Sequence, residues 1–334
     1  MIYFNSDYLE GAHPAVMARL METNMVQTVG YGEDEYCETA REKIKLACQA
    51  PEADVHFLVG GTQTNTTVIA AILRPWQGVL SAVSGHINCH EAGAIESTGH
   101  KVITLPTNNG KITAQQVRDY VEWHKNDEST EHIVQPGMVY ISHPTEGGTL
   151  YSKAELTALY DTCKQYSLPL FIDGARLGYG LVADGSDITL PELARLCDVF
   201  YIGGTKVGAL FGEAVVIMNE ALKKDFRFIM KQRGGRLAKG RLLGIQFDAL
   251  FTDDLYLTIS RHAIDMAYQI REIFVSAGYP LLFDSPTNQQ YPIMPDDELA
   301  EIGKNFGYEY WERTDPTHSG VRFCASWATT QEHV

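Results

Sequence analysis

The chain has 334 residues, 45% of them hydrophobic and 21% charged, which is enough for a substantial core and predicts two domains. Its formal net charge of −15 argues against a nucleic-acid surface and requires that any anionic ligand be met by Arg and Lys gathered inside a cleft, against the overall field. No segment offers the roughly 20 apolar residues of a membrane span, and Met1 to Asp7 lacks a basic stretch leading into an apolar run. The six cysteines (Cys37, Cys48, Cys89, Cys163, Cys197, Cys324) have no paired spacing, so a soluble protein of the reducing cytoplasm is expected.

Short β-rich runs alternate with helical stretches between about residues 55 and 218. Val55–Val59, Gly78–Ala82, Lys101–Leu105, Met138–Ile141, Leu170–Ile172, Val199–Ile202 and Ala214–Met218 read as buried strands. Ser152 with Glu155, and Thr189 with Glu192, have the spacing of capping boxes, in which hydroxyl and carboxylate each satisfy a free backbone N–H, so helices start there. This alternation predicts an α/β fold: a large domain with a mainly parallel seven-stranded sheet covered by helices. Beyond about residue 245 the alternation ends. A helical stretch from Leu255 to Ala277 stops at Gly278, and Pro-containing β-like pieces follow. The expected division is therefore 1–245, the large domain with an N-terminal arm, and 246–334, a smaller C-terminal α+β domain. Thr329-Thr330-Gln331-Glu332 again has the form of a helix start although the sequence stops at Val334, so the terminal helix it would begin is expected to be missing.

Open α/β sheets bind ligands beyond the carboxyl ends of their strands, so the residues after each strand carry the functional signal. Gly60-Gly61-Thr62-Gln63-Thr64-Asn65 turns into a helix whose free N–H groups and hydroxyls suit a phosphate, although a glycine pair before a helix is also a plain turn. In Ser84 to Glu91, the residues His86, Cys89 and His90 lack the second half of a metal site, so no metal is expected and His86 alone reads as a satisfied loop histidine. Asp173 closes an apolar strand with Arg176 three residues later, which suits a structural ion pair as well as a ligand site. Lys206 follows another apolar strand within Gly203-Gly204-Thr205-Lys206-Val207-Gly208. A desolvated lysine near other cations loses its proton readily, and only the neutral amine attacks carbonyls.

Together, in this order and at the ends of successive strands, the four motifs resemble the aspartate-aminotransferase fold of pyridoxal phosphate enzymes, and more closely the threonine aldolases and their β-eliminating relatives. The resemblance runs from Asn5-Ser6-Asp7 and Tyr31-Gly32-Glu33-Asp34 to Val321-Arg322-Phe323. It implies that Lys206 is the Schiff-base lysine, Asp173 the partner of the pyridine nitrogen, His86 the residue stacked on the cofactor ring, and Gly61 and Thr62 the phosphate loop. It also implies that Ser6, Arg176 and Arg322 hold the substrate carboxylate and that His132 lies near the substrate hydroxyl. Two segments depart from the family's pattern. Arg233 to Arg241 replaces a Gly-Gly-Met-Arg-Gln segment, which leaves Arg236 or Lys239 as the expected phosphate contact, and Ser142-His143-Pro144-Thr145-Glu146 replaces a Glu-Asn-Thr-His form.

The implied activity is a carbon–carbon lyase for a small-molecule substrate, cleaving a β-hydroxy-α-amino acid such as threonine or allo-threonine to glycine and an aldehyde. The residues suit it: an electron-sink cofactor stabilises a carbanion, Asp173 favours a protonated ring nitrogen, and two arginines anchoring the carboxylate select the bond at Cα that breaks. β-Elimination to ammonia and a keto acid is the alternative, since His86, His132 or Glu146 can each protonate a departing group. Transamination and a non-catalytic amino-acid sensor are further readings, the last opposed by the joint presence of Lys206, Asp173, His86 and both arginines. The resemblance implies a homodimer or homotetramer in which a neighbouring subunit completes each site.

Overall fold

Along Met138–Ile141, Leu170–Ile172 and Val199–Ile202 every side chain is apolar or aromatic, so successive residues must be buried on opposite faces of a sheet. A computed structural model, which describes residues 1–334, has this arrangement. Strands β1 (Asp54–Leu58), β2 (Gln77–Ala82), β3 (Val102–Leu105), β4 (Gln135–Ser142), β5 (Leu170–Asp173), β6 (Val199–Gly203) and β7 (Glu213–Ile217) form one sheet in the order β1-β7-β6-β5-β4-β2-β3. Neighbours run parallel except at β7, which is antiparallel to both β1 and β6. The predicted runs and the strands coincide closely, although β4 begins at Gln135 rather than Met138.

Val139, Ile141, Leu170, Ile172, Phe200 and Ile202 face one apolar cluster. It is closed by helices α1 (Pro14–Thr23), α2 (Glu35–Cys48) and, further along the chain, by Ala114–Asn126, Lys153–Gln165 and Arg241–Leu250. Met138, Tyr140, Phe171, Val199 and Tyr201 face a second cluster, closed by α3 (Gly61–Ile72) through Val68 and Ile69. Both predicted capping boxes are formed, at Ser152 with Glu155 and at Thr189 with Glu192. No helix is long and apolar enough to cross a membrane.

The long helix Leu255–Ser276 carries the chain into a smaller unit, where the antiparallel strands Ile293–Pro295, His318–Cys324 and Glu309–Arg313 lie side by side in that order. Its core joins Met266, Ile270 and Phe274 of the helix to Val321 and Phe323, and also to Phe4. Three expectations change here. The break between residues 245 and 246 falls inside helix Arg241–Leu250, whose Phe247 and Leu250 belong to the large sheet's core. The N-terminal arm packs with the small unit instead, Ile2–Tyr3 pairing in parallel with Phe306–Gly307, a strand too short for periodicity to announce. Thr329 to Glu332 also forms turns rather than a helix, because the Thr329 hydroxyl accepts the Ser326 N–H behind it (2.9 Å).

Register brings the functional edge together. Leu58, Gly203 and Glu213 lie abreast, as do Ser142 and Asp173. Gly174 then passes directly under β6: a Cβ there would sit 2.0 Å from the Tyr201 carbonyl oxygen. Gly174→Ala must move one of the two backbones, and a loss of about 1 to 3 kcal/mol is expected in urea unfolding; an unchanged midpoint would contradict this packing.

Candidate active site

The edge encloses a cavity of about 310 Å3 bordered by Gly61, Thr62, His86, Asp173, Lys206 and Glu213. Sequence reasoning placed all of these except Glu213 there, at the carboxyl ends of four strands.

Asp173 is 4% exposed and ends β5 on the face that also carries Phe171. In parallel register Ser142 of β4 and Tyr201 of β6 flank it, and Tyr140 of β4 stands two residues before Ser142 on the same face. Both phenols donate to it, Tyr140 at 2.6 Å and Tyr201 at 2.5 Å, and Asn65 of α3 and the Ala175 N–H add bonds of 3.0 Å each. Burial alone would favour the acid, but the charge of His86 and these donors outweigh it and hold the carboxyl below its ordinary range. Asp173 is not paired with Arg176, so the simple ion-pair reading is set aside.

Lys206 sits in the loop between β6 and β7. Its carbonyl accepts the Tyr179 hydroxyl (2.5 Å), which fixes the backbone beneath the amine. Burial, then the nearby charge of Arg176, lowers its proton affinity against the pull of Asp7, Asp173 and Glu213. The cavity therefore holds an amine of lowered proton affinity next to a carboxyl held below its ordinary range. Glu213 itself accepts the Thr205 hydroxyl (3.0 Å) and the Gly204 N–H (3.2 Å), bracing the same loop.

Gly61 opens α3, whose first-turn N–H groups have no intrahelical acceptors. A Cβ at Gly61 would lie 3.1 Å from the Tyr201 hydroxyl, so glycine keeps this cradle open beside the Asp173 donors. His86 begins a short helix after β2, its N–H donating to Glu146 (2.9 Å) and its Nδ1 bonded to Glu91 (2.8 Å).

Ser6, Arg176 and Arg322 are gathered by the N-terminal arm. Arg176 donates through Nε (2.7 Å) and Nη2 (3.1 Å) to Asp7, leaving Nη1 unused. Asp7 stays well below the usual carboxylate range: burial opposes this, but the charges of Arg176 and Lys206 and bonds from Arg176 and Asn288 prevail. Arg322 donates to Gln289 and to the Asn5 carbonyl, both at 3.0 Å, and contacts Glu309. Its Nε and the Ser6 hydroxyl are buried without partners, as a pair of donors awaiting an anion would be.

Three expected residues are not brought to the cavity. His132 is exposed in the turn Thr130–His132 before β4, at the amino end of an eight-residue strand and so roughly 25 Å from the carboxyl edge. Spacing placed it near the substrate, but the strand direction carries it away. Arg236 pairs with Glu33 and lies over the Tyr31 ring, bordering a separate small cavity, and Lys239 is exposed. Tyr140, Tyr201, Asn65, Asp7, Glu91 and Glu213 were not foreseen. For the two tyrosines a signal existed, since a hydroxyl inside an apolar strand generally has a buried partner.

Seven strands in this order, with an anionic Asp173, a strand-end Lys206 and a helix N-terminus around one cavity, define a pyridoxal phosphate enzyme of the aspartate-aminotransferase fold. The chain belongs to the β-eliminating lyase family, which it matches over residues 4–286. It is similar to the low specificity L-threonine aldolase of Pseudomonas aeruginosa, with 29% identity over 99% of this chain and 94% of that protein. The threonine aldolase structure from Leishmania major has 42% identity and a TM-score of 0.96, covering 99% of this chain and 96% of that one. An aspartate aminotransferase mutant from Thermus thermophilus (14% identity, TM-score 0.72, covering 100% of this chain and 88% of that one) shares the fold. Pyridoxal phosphate fits the residues present: an open glycine cradle for its phosphate, an anionic acceptor for its ring nitrogen and a lysine for its aldehyde.

Burial and the negative charge of Asp173 push the Glu213 carboxyl up from 4.5 to about 8, with the Thr205 bond and Lys206 opposing. The folded protein therefore binds this proton more tightly than the unfolded chain, and stability present at low pH is lost as pH rises through about 8. Glu213→Gln lacks the titration. In urea unfolding of cofactor-free protein, wild type should lose stability relative to Glu213→Gln between pH 5 and 9, on the order of a few kcal/mol; parallel pH profiles would refute this.

Proposed function

We infer that the protein is a pyridoxal phosphate-dependent aldolase that cleaves a β-hydroxy-α-amino acid of the threonine or allo-threonine type to glycine and an aldehyde. The observation that carries this is the joining of Asp173 and Lys206 in one cavity, within a chain similar along 99% of its length to a threonine aldolase. Bound pyridoxal phosphate supplies an electron sink for the pair left at Cα.

The chain's residues do the rest. Lys206 would hold the aldehyde of bound pyridoxal phosphate, Gly61 and Thr62 would receive its phosphate, and anionic Asp173 would keep a proton on its ring nitrogen. His86 would face the ring. Arg176 through its unused Nη1, Arg322 through Nε and Ser6 through its hydroxyl would hold the substrate carboxylate, and this anchoring would select the Cα–Cβ bond for cleavage. His86 takes the β-hydroxyl proton directly or through water, the aldehyde departs, and a proton delivered to Cα completes glycine. With His132 remote, Glu146 is the other acid near His86: burial holds its carboxyl above the ordinary range, against the Ser142 hydrogen bond.

The test incubates the protein with threonine, allo-threonine, phenylserine, serine and tyrosine and assays glycine, aldehyde, ammonia and keto acid in parallel. Equal glycine and aldehyde are expected, whereas ammonia and keto acid without glycine would establish the β-eliminating alternative. Borohydride should fix the cofactor to wild type and not to Lys206→Ala.

We also propose a homodimer or homotetramer in a reducing, cytoplasmic setting, the latter supported by six unpaired cysteines. Met17, Met21 and Met25 expose a stripe at helical spacing, continued by Val29 and Tyr31 next to the Arg233–Arg241 segment. Closing that surface against a second copy gives Arg236 and Lys239 a route to the partner's phosphate cradle. Light scattering should show no active monomer at working dilution.

A further inference from the structure

We propose that Glu91 is a positioning residue for His86, fixing its tautomer and holding a proton on its ring, and that Asn65 ties this pair to Asp173. The proposal rests on the reading of His86 as the histidine that faces the cofactor.

Glu91 has a fully buried side chain, and its Oε1 lies 2.8 Å from His86 Nδ1, while the His86 side chain stays 34% exposed. A carboxylate only accepts, so Nδ1 must carry hydrogen in the neutral ring as well as in the cation. The exchangeable site is then Nε2. The backbone at His86 is pinned independently, its N–H donating to Glu146, and Gly85 before it is forced by space, since a Cβ there would lie 2.3 Å from the Ser81 hydroxyl. Ring and backbone are therefore both anchored.

The same Glu91 oxygen accepts Asn65 Nδ2 at 2.7 Å, and that nitrogen also reaches Asp173 at 3.0 Å. An amide has two N–H bonds on this atom, one for each carboxylate. Asn65 thus bridges two buried anions that would otherwise repel, and it aligns the histidine's partner with the residue that faces the ring nitrogen. Asn65 Oδ1 and Glu91 Oε2 have no partners, so nothing else competes for this bridge.

The groups that face His86 are Glu91, Asp173, Glu146, Lys206 and the ring of His90, 5.5 Å away. Burial favours neutral imidazole and Lys206 adds to that, but the Glu91 hydrogen bond and the charges of Asp173 and Glu91 outweigh them and raise its proton affinity. Removing the Glu91 charge while keeping an acceptor takes away part of that support and lowers the proton affinity.

The experiment follows His86 by 15N and 13C NMR in full-length holoprotein, together with the pH profile of kcat on threonine-type substrates. Wild type should show neutral His86 in the Nδ1–H form. In Glu91→Gln the His86 midpoint should fall by at least one pH unit, and the limb of the kcat profile set by His86 should move down with it, with KM changed less than kcat. Glu91→Asp, which restores the charge, should return the midpoint toward wild type. A neutral His86 in the Nε2–H form in wild type overturns the proposal even if no variant folds, and so does an unmoved midpoint in Glu91→Gln. A shifted midpoint in a protein that cleaves no β-hydroxy amino acid would instead sink the aldolase reading and leave the Glu91 assignment standing.

Discussion

The hydrogen-bonded burial of the Asp173 carboxylate is the constraint on which the rest depends. An uncompensated anion at that depth costs several kcal/mol, and a carboxyl that escaped the cost by protonating would no longer attract a proton to a ring nitrogen. Four donors prevent this, and each comes from a different place in the fold: β4, β6, α3 and the turn after β5. Strand order matters for that reason. Tyr140 and Tyr201 reach Asp173 only because β4 and β6 flank β5 in parallel register, and Asn65 only because α3 covers the same face.

Around this anion the site balances charge locally, in a protein whose net charge is −15. His86 opposes Asp173 at the cavity, and Arg176 opposes Asp7 beside it. Arg176 binds Asp7 in a bidentate manner, which fixes the guanidinium plane without exhausting its donors. Geometry that would otherwise be paid in substrate ordering is already set in the free protein.

Much of this was legible in the sequence, for reasons that also explain the gaps. The central strands β4, β5 and β6 are buried on both faces over most of their length and so read as apolar runs, and the capping boxes are local patterns that either occur or do not. Lys206, Asp173, His86 and Gly61 stood out because chemistry collects at strand ends. What failed depended on distance or direction. Asp7 meets Arg176 across 169 positions, which no spacing rule reaches. His132 was assigned by spacing alone, without the strand direction that puts it at the opposite edge. The boundary near residue 245 was drawn where alternation stops, yet helix Arg241–Leu250 continues to bury its apolar face on the large sheet.

The placement of the arm also has a consequence for how the protein is made. The side-chain donors to Asp173 lie 28 to 108 positions away, whereas Arg322 meets the Asn5 carbonyl across 317 and Asn288 meets Asp7 across 281. Contacts of such separation close last, because the loop entropy must be met before they form. During synthesis on a ribosome, the cofactor cavity is complete in sequence once β7 has emerged. The carboxylate anchor waits for the C-terminal strands to capture the first residues translated. The residues that border the cavity are thus all translated before the arm's C-terminal partners, and the arm is the latch that ends the order of assembly.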